Sequence, residues 1–475
     1  MKAFPAIYEL GPDFYDTVKA ALFPKGVLRY RNQNAAQILG LNFLNENEWR
    51  NHFWQFLPLA ENLEAPLALR YHGHQFQHYN PDLGDGRGFL FAQFLDSQNK
   101  FYDLGTKGSG QTPYSRSGDG RLTLKGAVRE VLATEMLESL GVNTSRTFSV
   151  FETGESLHRN DEPSPTRSAV LVRMTHGHIR IGTFQRLAFF QQKENILKLV
   201  CYCVKHYYPE LQEHLDDPMV TALFFREVVR RNAKLVAQVM MAGFVHGVLN
   251  TDNINISGEL FDYGPYRFLP SYDPLFTAAY FDHQGLYAFG RQPPVFLWNL
   301  HQLGLALKVA VPDLPTEDIL ENFGDDFNES VLKSFLSRLG VNSLGITKDQ
   351  DLLSNFFELI ENKNVLFEQA FFDFFGGFSN SKISLTDSSL PWRSSPQLEM
   401  YDQNLLQKFL IGFKEHTPSQ PDLRQHPYFK SLRPQSLLID EIEAIWLAIA
   451  ENDDWTLFEK KIEQIKSFRG IYPIL

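Results

Sequence analysis

The chain has 475 residues, 43% of them hydrophobic, with 41 Phe and a formal net charge of −11. That length exceeds one ordinary core and predicts two or more domains of a folded rather than disordered protein. The acidic balance argues against a general nucleic-acid binder, and no run of about 18 apolar residues predicts a membrane span.

The opening MKAFPAIYELGPDFYD carries early acids and no long apolar core, so no secretory signal is expected there. Residues 1–75 read as a flanking segment, with Asn45 capping a short helix to about 57 and a strand over 67–71. The turn DLGDGRG at 82–88 precedes strands expected over 89–95 and 101–107. The result is a hairpin with glycines at its mouth and Lys107 at its end. A second polar, glycine-rich loop spans 108–121. Leu124, Ala127, Val128, Val131, Leu132, Met136 and Leu140 then recur at helical spacing, and Gly141 stops the helix. Strands are expected over 147–152 and 168–174, joined by an exposed loop over 153–167. Helices are expected over 184–206 and about 217–242, interrupted by the loop 243–264. Amphipathic helices dominate 296–470, with polar connectors such as 379–395. Cys201 and Cys203 are the two cysteines. They are too few for a disulfide framework and are not spaced as a zinc half-site. The expectation is buried or half-buried thiols on a helix in a reducing, cytoplasmic compartment.

Three groups of residues carry possible chemistry. Lys107, at a strand end behind a glycine-rich hairpin, can aim its ammonium at phosphates, and Glu130 on the next helix can fix its rotamer. Taken alone, Lys107 reads as a solvated surface lysine; the hairpin and the following helix bring the two readings level. The glycines at 84, 86 and 88 allow close approach to phosphate and Arg87 adds charge, although an ordinary turn needs the same residues. Arg173 and Arg180 flank a loop and can clamp a polyphosphate through forked hydrogen bonds; surface solubility is the plain alternative. The sharpest signal is His246-Gly-Val-Leu-Asn-Thr-Asp-Asn253, followed by Asp262-Tyr263-Gly264. A protein kinase has a catalytic loop H-R-D-x-x-x-x-N and then D-F-G. His246 and Asn253 keep that offset, but Val248 stands where the catalytic aspartate belongs and cannot accept a proton. Asp252 is adjacent to Asn253 instead.

The stretches YHGHQFQHYNPDLGDGRG, DLGTKGSGQTPYSRSGDGRLTLKGAVREVLATEML, VLVRMTHGHIRIGTF and FVHGVLNTDNINISGELFDYGPYRFL run from Tyr71 to Leu269. Through them the chain resembles the selenoprotein O (YdiU) family of protein adenylyltransferases, a pseudokinase lineage. The resemblance implies an α+β, protein-kinase-like, two-lobed fold. Its β-rich N-lobe would span 76–182 and its helical C-lobe 183–295, with an additional helical region over 296–475. It implies ATP bound in a flipped pose and AMP, rather than the γ-phosphate, transferred to Ser, Thr or Tyr hydroxyls of proteins, with pyrophosphate released. By the same resemblance Gly84, Gly86, Arg87, Lys107, Asp119, Gly120, Arg173 and Arg180 are nucleotide contacts, with Glu130 and Asp262 completing the ATP site. Asp252 is the proton acceptor, and Asn253 and Asp262 hold Mg²⁺ or Mn²⁺. Many family members carry a cysteine or selenocysteine near the C-terminus. The stretch 468–475 has none, so thiol-linked control does not carry over. A phosphotransferase using Asp252 as a relocated base, and a non-catalytic ATP-binding scaffold, are the alternatives. The protein substrates and the oligomeric state are not legible.

Overall fold

A computed structural model describes residues 2–160, 162–362, 364–377 and 395–475. Short strands and helices alternate up to the middle of the chain. They are β1 (Lys2–Ala3), β2 (Tyr15–Thr17), β3 (Val27–Arg31), α1 (Gln33–Ile38), α2 (Glu46–Phe53), β4 (Leu67–Leu69), β5 (Gly73–Gln75), β6 (His78–Asn80), β7 (Leu90–Leu95), β8 (Phe101–Lys107), β9 (Leu122–Thr123), α3 (Leu124–Ser139), β10 (Arg146–Leu157) and β11 (Thr166–Thr175). Helices then take over: α4 (Ile181–Phe189), α5 (Lys193–Tyr207) and α6 (Val220–Met241), with the small pair β12 (Phe244–Val245) and β13 (Arg267–Phe268) after them. The rest is α7 (Gln292–Lys308), α8 (Thr316–Leu339), α9 (Ile346–Ile360), α10 (Phe367–Phe374), α11 (Gln403–Phe413), α12 (Ile439–Asn452) and α13 (Thr456–Lys466).

Among the described residues nine strands form one antiparallel sheet. Its path is β2-β4-β7-β8-β11-β10-β3, with β1 on β7 and β9 on β11. Along β11 the residues alternate between two cores, as a strand's period of two requires. Ala169 and Leu171 face the core that α3 supplies with Val128, Val131 and Leu132. Val170, Val172 and Met174 face Trp49, Phe53 and Phe148. The second core is covered by α1 and α2, and a capping box of Asn45 and Glu48 starts α2 where the sequence predicts. Residues 1–75 are therefore not a layer outside the sheet, because β1 to β4 belong to it.

Several expected boundaries move. The loop over 153–167 is shorter, because β10 runs on to Leu157 and β11 begins at Thr166. A register shift between Glu152 and Ser156, with Gly154 at φ 75°, lets the strand bend without ending. The helix over 184–206 is two helices, broken at Phe190–Gln192 where Gln191 has a left-handed φ of 54°. On α5, Cys203 is buried but Cys201 is exposed, since residues two apart point to opposite helix faces. The connector expected at 379–395 lies outside the described residues except for Ser395.

A third apolar core, built on Phe335, Phe356, Phe371, Phe374 and Phe409, gathers α8 to α11 and touches Val245 and Leu269. The last two helices return to the sheet half. Lys125 on α3 meets Glu443 on α12 at 2.7 Å, and Arg469 meets Glu135 and Glu138 of α3.

Candidate active site

The roof of the site is mostly backbone. The turn at 82–88 lies under the loop 108–121, held by Thr112 Oγ1 donating to Asp85 O at 2.5 Å and Ser115 Oγ donating to Gly86 O at 2.5 Å. Gly84 is needed for this approach: a Cβ there would lie 2.3 Å from the Tyr114 ring. Gly120 has φ 69°, and a Cβ on it would lie 2.3 Å from the Gly110 carbonyl. The Asp119 carboxylate is taken by Arg159 at 2.9 and 3.0 Å, which ties the loop to the segment after β10. Arg87 is exposed, and neither its side chain nor that of Arg116 has a hydrogen-bond or ion-pair partner among the described residues.

The back wall is charged. Lys107 ends β8, where it pairs in register with Leu171 of β11, and its Nζ lies 2.5 Å from Glu130 Oε2 on α3. Both side chains are buried. Arg173 projects from β11 and Arg180 is the residue before α4. Neither is a surface residue; they are 4% and 3% exposed and converge on one carboxylate. Arg173 donates to Asp262 Oδ1, Arg180 Nη1 donates to Oδ2 at 2.8 Å, and Lys107 Nζ lies 3.8 Å away. Phe261 stacks against both guanidinium groups, at 4.8 and 4.7 Å. Burial alone would raise the Asp262 pKa, yet Arg173, Arg180 and Lys107 hold it well below the usual carboxylate range.

The floor comes from the loop after β12. His246 is buried and neutral, its pKa lowered by burial to about 4. Its two ring nitrogens meet Phe261 O at 3.3 Å and Val248 N at 3.4 Å, which joins this loop to the Asp262 segment. Asn253 Nδ2 donates to Val248 O at 2.9 Å, so its amide oxygen remains an acceptor. The Asp252 carboxylate is buried, and its Oδ1 has no hydrogen-bond partner among the described residues. Burial pushes its pKa up to about 6, Arg180 opposes this, and Asp262 adds to it.

A single cavity of about 820 Å³ is lined by Gly84, Gly86, Arg87, Lys107, Asp119, Gly120, Arg173, Arg180, Asp252, Asn253 and Asp262. Residues nearly 180 positions apart thus meet. Glu130 is not in the lining; it acts on the cavity through Lys107. The sequence reading missed Asp85, whose Oδ1 lies 3.4 Å from Arg180 Nη2 and which burial keeps above its ordinary pKa. It missed Tyr71, whose ring lies 4.4 Å from the Arg180 guanidinium. It also missed the β5–β6 hairpin, where His74 N donates to Thr251 Oγ1 at 2.7 Å and Phe76 N to Asn250 Oδ1 at 3.1 Å. The one local signal was the HGH tripeptide: a Cβ on Gly73 would lie 3.1 Å from Asp252 Cβ.

The family model described as "Protein adenylyltransferase SelO" matches residues 1–466. The chain belongs to the SelO family. Relatives named "Protein nucleotidyltransferase YdiU" agree along almost their whole length. The Synechocystis protein is 43% identical over 98% of this chain and 97% of its own, and the Gloeobacter violaceus protein 43% over 97% and 94%. The Trichormus variabilis protein is 41% identical over 98% and 95%. As a SelO member the chain is an enzyme of the nucleotidyltransferase class. No helix among the described residues is long and apolar enough to cross a membrane.

Proposed function

We propose that the protein transfers AMP from ATP to Ser, Thr or Tyr hydroxyls of other proteins and releases pyrophosphate. The observation that carries this reading is the pairing of Val248 with Asp252. Both line the cavity, but Val248 cannot take a proton, whereas Asp252 presents a buried carboxylate whose Oδ1 has no partner among the described residues and whose pKa burial pushes up to about 6. A base near the working pH suits proton abstraction from a hydroxyl.

The other residues fit the leaving group. Lys107, Arg173 and Arg180 concentrate positive charge around one carboxylate, and Arg87 and Arg116 add guanidinium groups without partners among the described residues. That set can hold the pyrophosphate of a triphosphate lying with its terminal phosphates inward, while the glycines of the roof let backbone N–H groups approach it. Glu130 keeps Lys107 aimed. Asp119 and Arg159 hold the loop that carries Gly120.

The donor set fits a hard divalent cation. The Asp262 carboxylate stays ionised and Asn253 offers an amide oxygen. Two protein oxygens, with phosphate oxygens and water for the remaining positions, suit Mg²⁺ or Mn²⁺. When bound, the ion supplies charge neutralisation on the phosphates. The division of labour follows that of a protein kinase: a β-rich N-lobe up to 182 that takes in β1 to β4 as well as 76–182, a helical C-lobe over 183–295 and a helical region over 296–475. The reaction partners are ATP and protein hydroxyls.

The test is label transfer with Mg²⁺, using ATP labelled on the α- or the γ-phosphate and a mixture of acceptor proteins. Label on protein from the α-phosphate alone, lost in Asp252→Asn, is the expected result. Label from the γ-phosphate would overturn it in favour of a kinase.

A further inference from the structure

A second cavity, of about 690 Å³, shares no lining residue with the first among the described residues. Its walls are the turn between β7 and β8, the end of α5 with the segment after it, one face of α6, and the turn at 257–258. The charges in the lining are strongly biased: Lys100, Lys205, Arg230, Arg231 and Lys234 stand against Glu210.

The arginines are partnered. Arg230 Nη2 meets Glu227 Oε1 at 2.5 Å, and Arg231 meets Glu227 at 3.0 Å and also Glu210. Lys205 meets Glu9 at 3.0 Å. Lys234 and Lys100 are left over, with no ion pair among the described residues. Lys234 is half-buried, and burial together with Arg230, Lys333 and Arg231 lowers its pKa. A lysine kept among like charges is relieved by a bound anion.

Two neutral donors point the same way. Gln238 and Ser257 line the cavity while being 4% and 6% exposed, and Gln238 Nε2 and Ser257 Oγ have no hydrogen-bond partner among the described residues. Gln238 Oε1 already accepts from Asn143 N at 3.0 Å, which leaves its amide N–H groups to be satisfied. Buried donors without acceptors are costly and are met with ordered water or a ligand.

We propose that this cavity binds a small multivalent oxyanion, a phosphorylated or polycarboxylate metabolite, between Lys100 and Lys234 with Gln238 and Ser257 as neutral donors. The geometry favours phosphate or carboxylate oxygens over a cation or an apolar ligand, because lysine, amide and hydroxyl groups all offer protons.

The test is calorimetric titration of inorganic pyrophosphate, and separately of citrate, into the full chain and the variants Lys234→Gln, Lys100→Gln and Lys107→Ala. One binding component is expected to weaken about tenfold or more in both Gln variants and to persist in Lys107→Ala, which alters the other cavity. Lys100 lies on an exposed turn, so Lys100→Gln remains informative if Lys234→Gln disturbs α6. Pyrophosphate and citrate tell phosphate from carboxylate as the source of the charge; binding of either through these lysines supports the site. Binding of neither, isotherms unchanged in both Gln variants, or loss of all binding in Lys107→Ala alone overturns it.

Discussion

The two cavities are similar in size, about 820 and 690 Å³, and both are rich in Lys and Arg, but they gain surplus positive charge in different ways. In the first, Lys107, Arg173 and Arg180 surround one carboxylate, Asp262, inside a buried wall. In the second, each arginine has an acidic partner on or beside α6, and the surplus sits on Lys100 and Lys234. Tying three cations to one shared anion, with Glu130 on Lys107 and Asp85 on Arg180 as further partners, fixes their positions around the ligand space. Pairing them separately satisfies the arginines and leaves a looser site at the lysines. Rigid, dry placement is what a transition state needs, whereas looser placement suffices for binding.

The largest effect should come from the shared carboxylate. Asp262→Ala leaves Arg173 buried without its carboxylate and Arg180 with Asp85 alone at 3.4 Å, and removes an oxygen donor for the cation. AMP transfer should fall by about 10³-fold or more in the label assay, while pyrophosphate binding at the second cavity persists. Near-normal transfer in this variant would break the contrast. Glu130→Gln comes next. It removes the partner of a buried lysine, so urea melts should show a loss of about 3 kcal/mol, with transfer reduced as Lys107 loses its aim.

Glu259 sharpens the contrast, because in the chain it lies between Gly258 of the second cavity and Asp262 of the first. Its Oε2 accepts from His176 N at 2.8 Å, and Arg146, Lys100 and Arg173 all act on it. Burial raises its pKa to about 7, against 4.5 for the ordinary carboxyl. Between those values the unfolded chain has released this proton and the native chain has not. This group's contribution to stability therefore falls as pH rises from 4.5 to 7. Glu259→Gln should flatten that part of a stability-versus-pH curve by an amount on the order of 3 kcal/mol. An unchanged slope would show the carboxylate to be ionised in place. The smallest effect belongs to Lys205→Ala on the rim of the second cavity. Its pair with Glu9 is half-exposed, so thermal melts should move by less than about 1 kcal/mol. Pyrophosphate affinity should fall less than it does in Lys234→Gln.

Local chemistry made much of the first cavity readable in advance. A strand ending in Lys107, an amphipathic helix carrying Glu130, a glycine-rich turn and the H…N…D-aromatic-G order are short-range patterns, and the strand over 101–107 falls where the spacing puts it. The second cavity left no such trace. Lys100, Lys234 and Ser257 belong to three unrelated segments, and each alone reads as an ordinary surface or turn residue. Arg173 and Arg180 lie between these cases. Their spacing was visible, but their burial was not, because it depends on Asp262, Asp85 and Phe261 closing around them.

By itself the sequence determined the type and order of most elements around the site, the SelO membership, and many of the residues that line the first cavity. Periodicity, capping and turn chemistry act over a few residues and are written locally. Only the tertiary structure decided which charges share a partner, which way Asp252 and Asp262 shift, that β1 to β4 join the main sheet, and that a second basic cavity exists. Those outcomes depend on burial and on distances between segments far apart in the chain, and a carboxylate's pKa follows from its neighbours rather than from its place in the sequence.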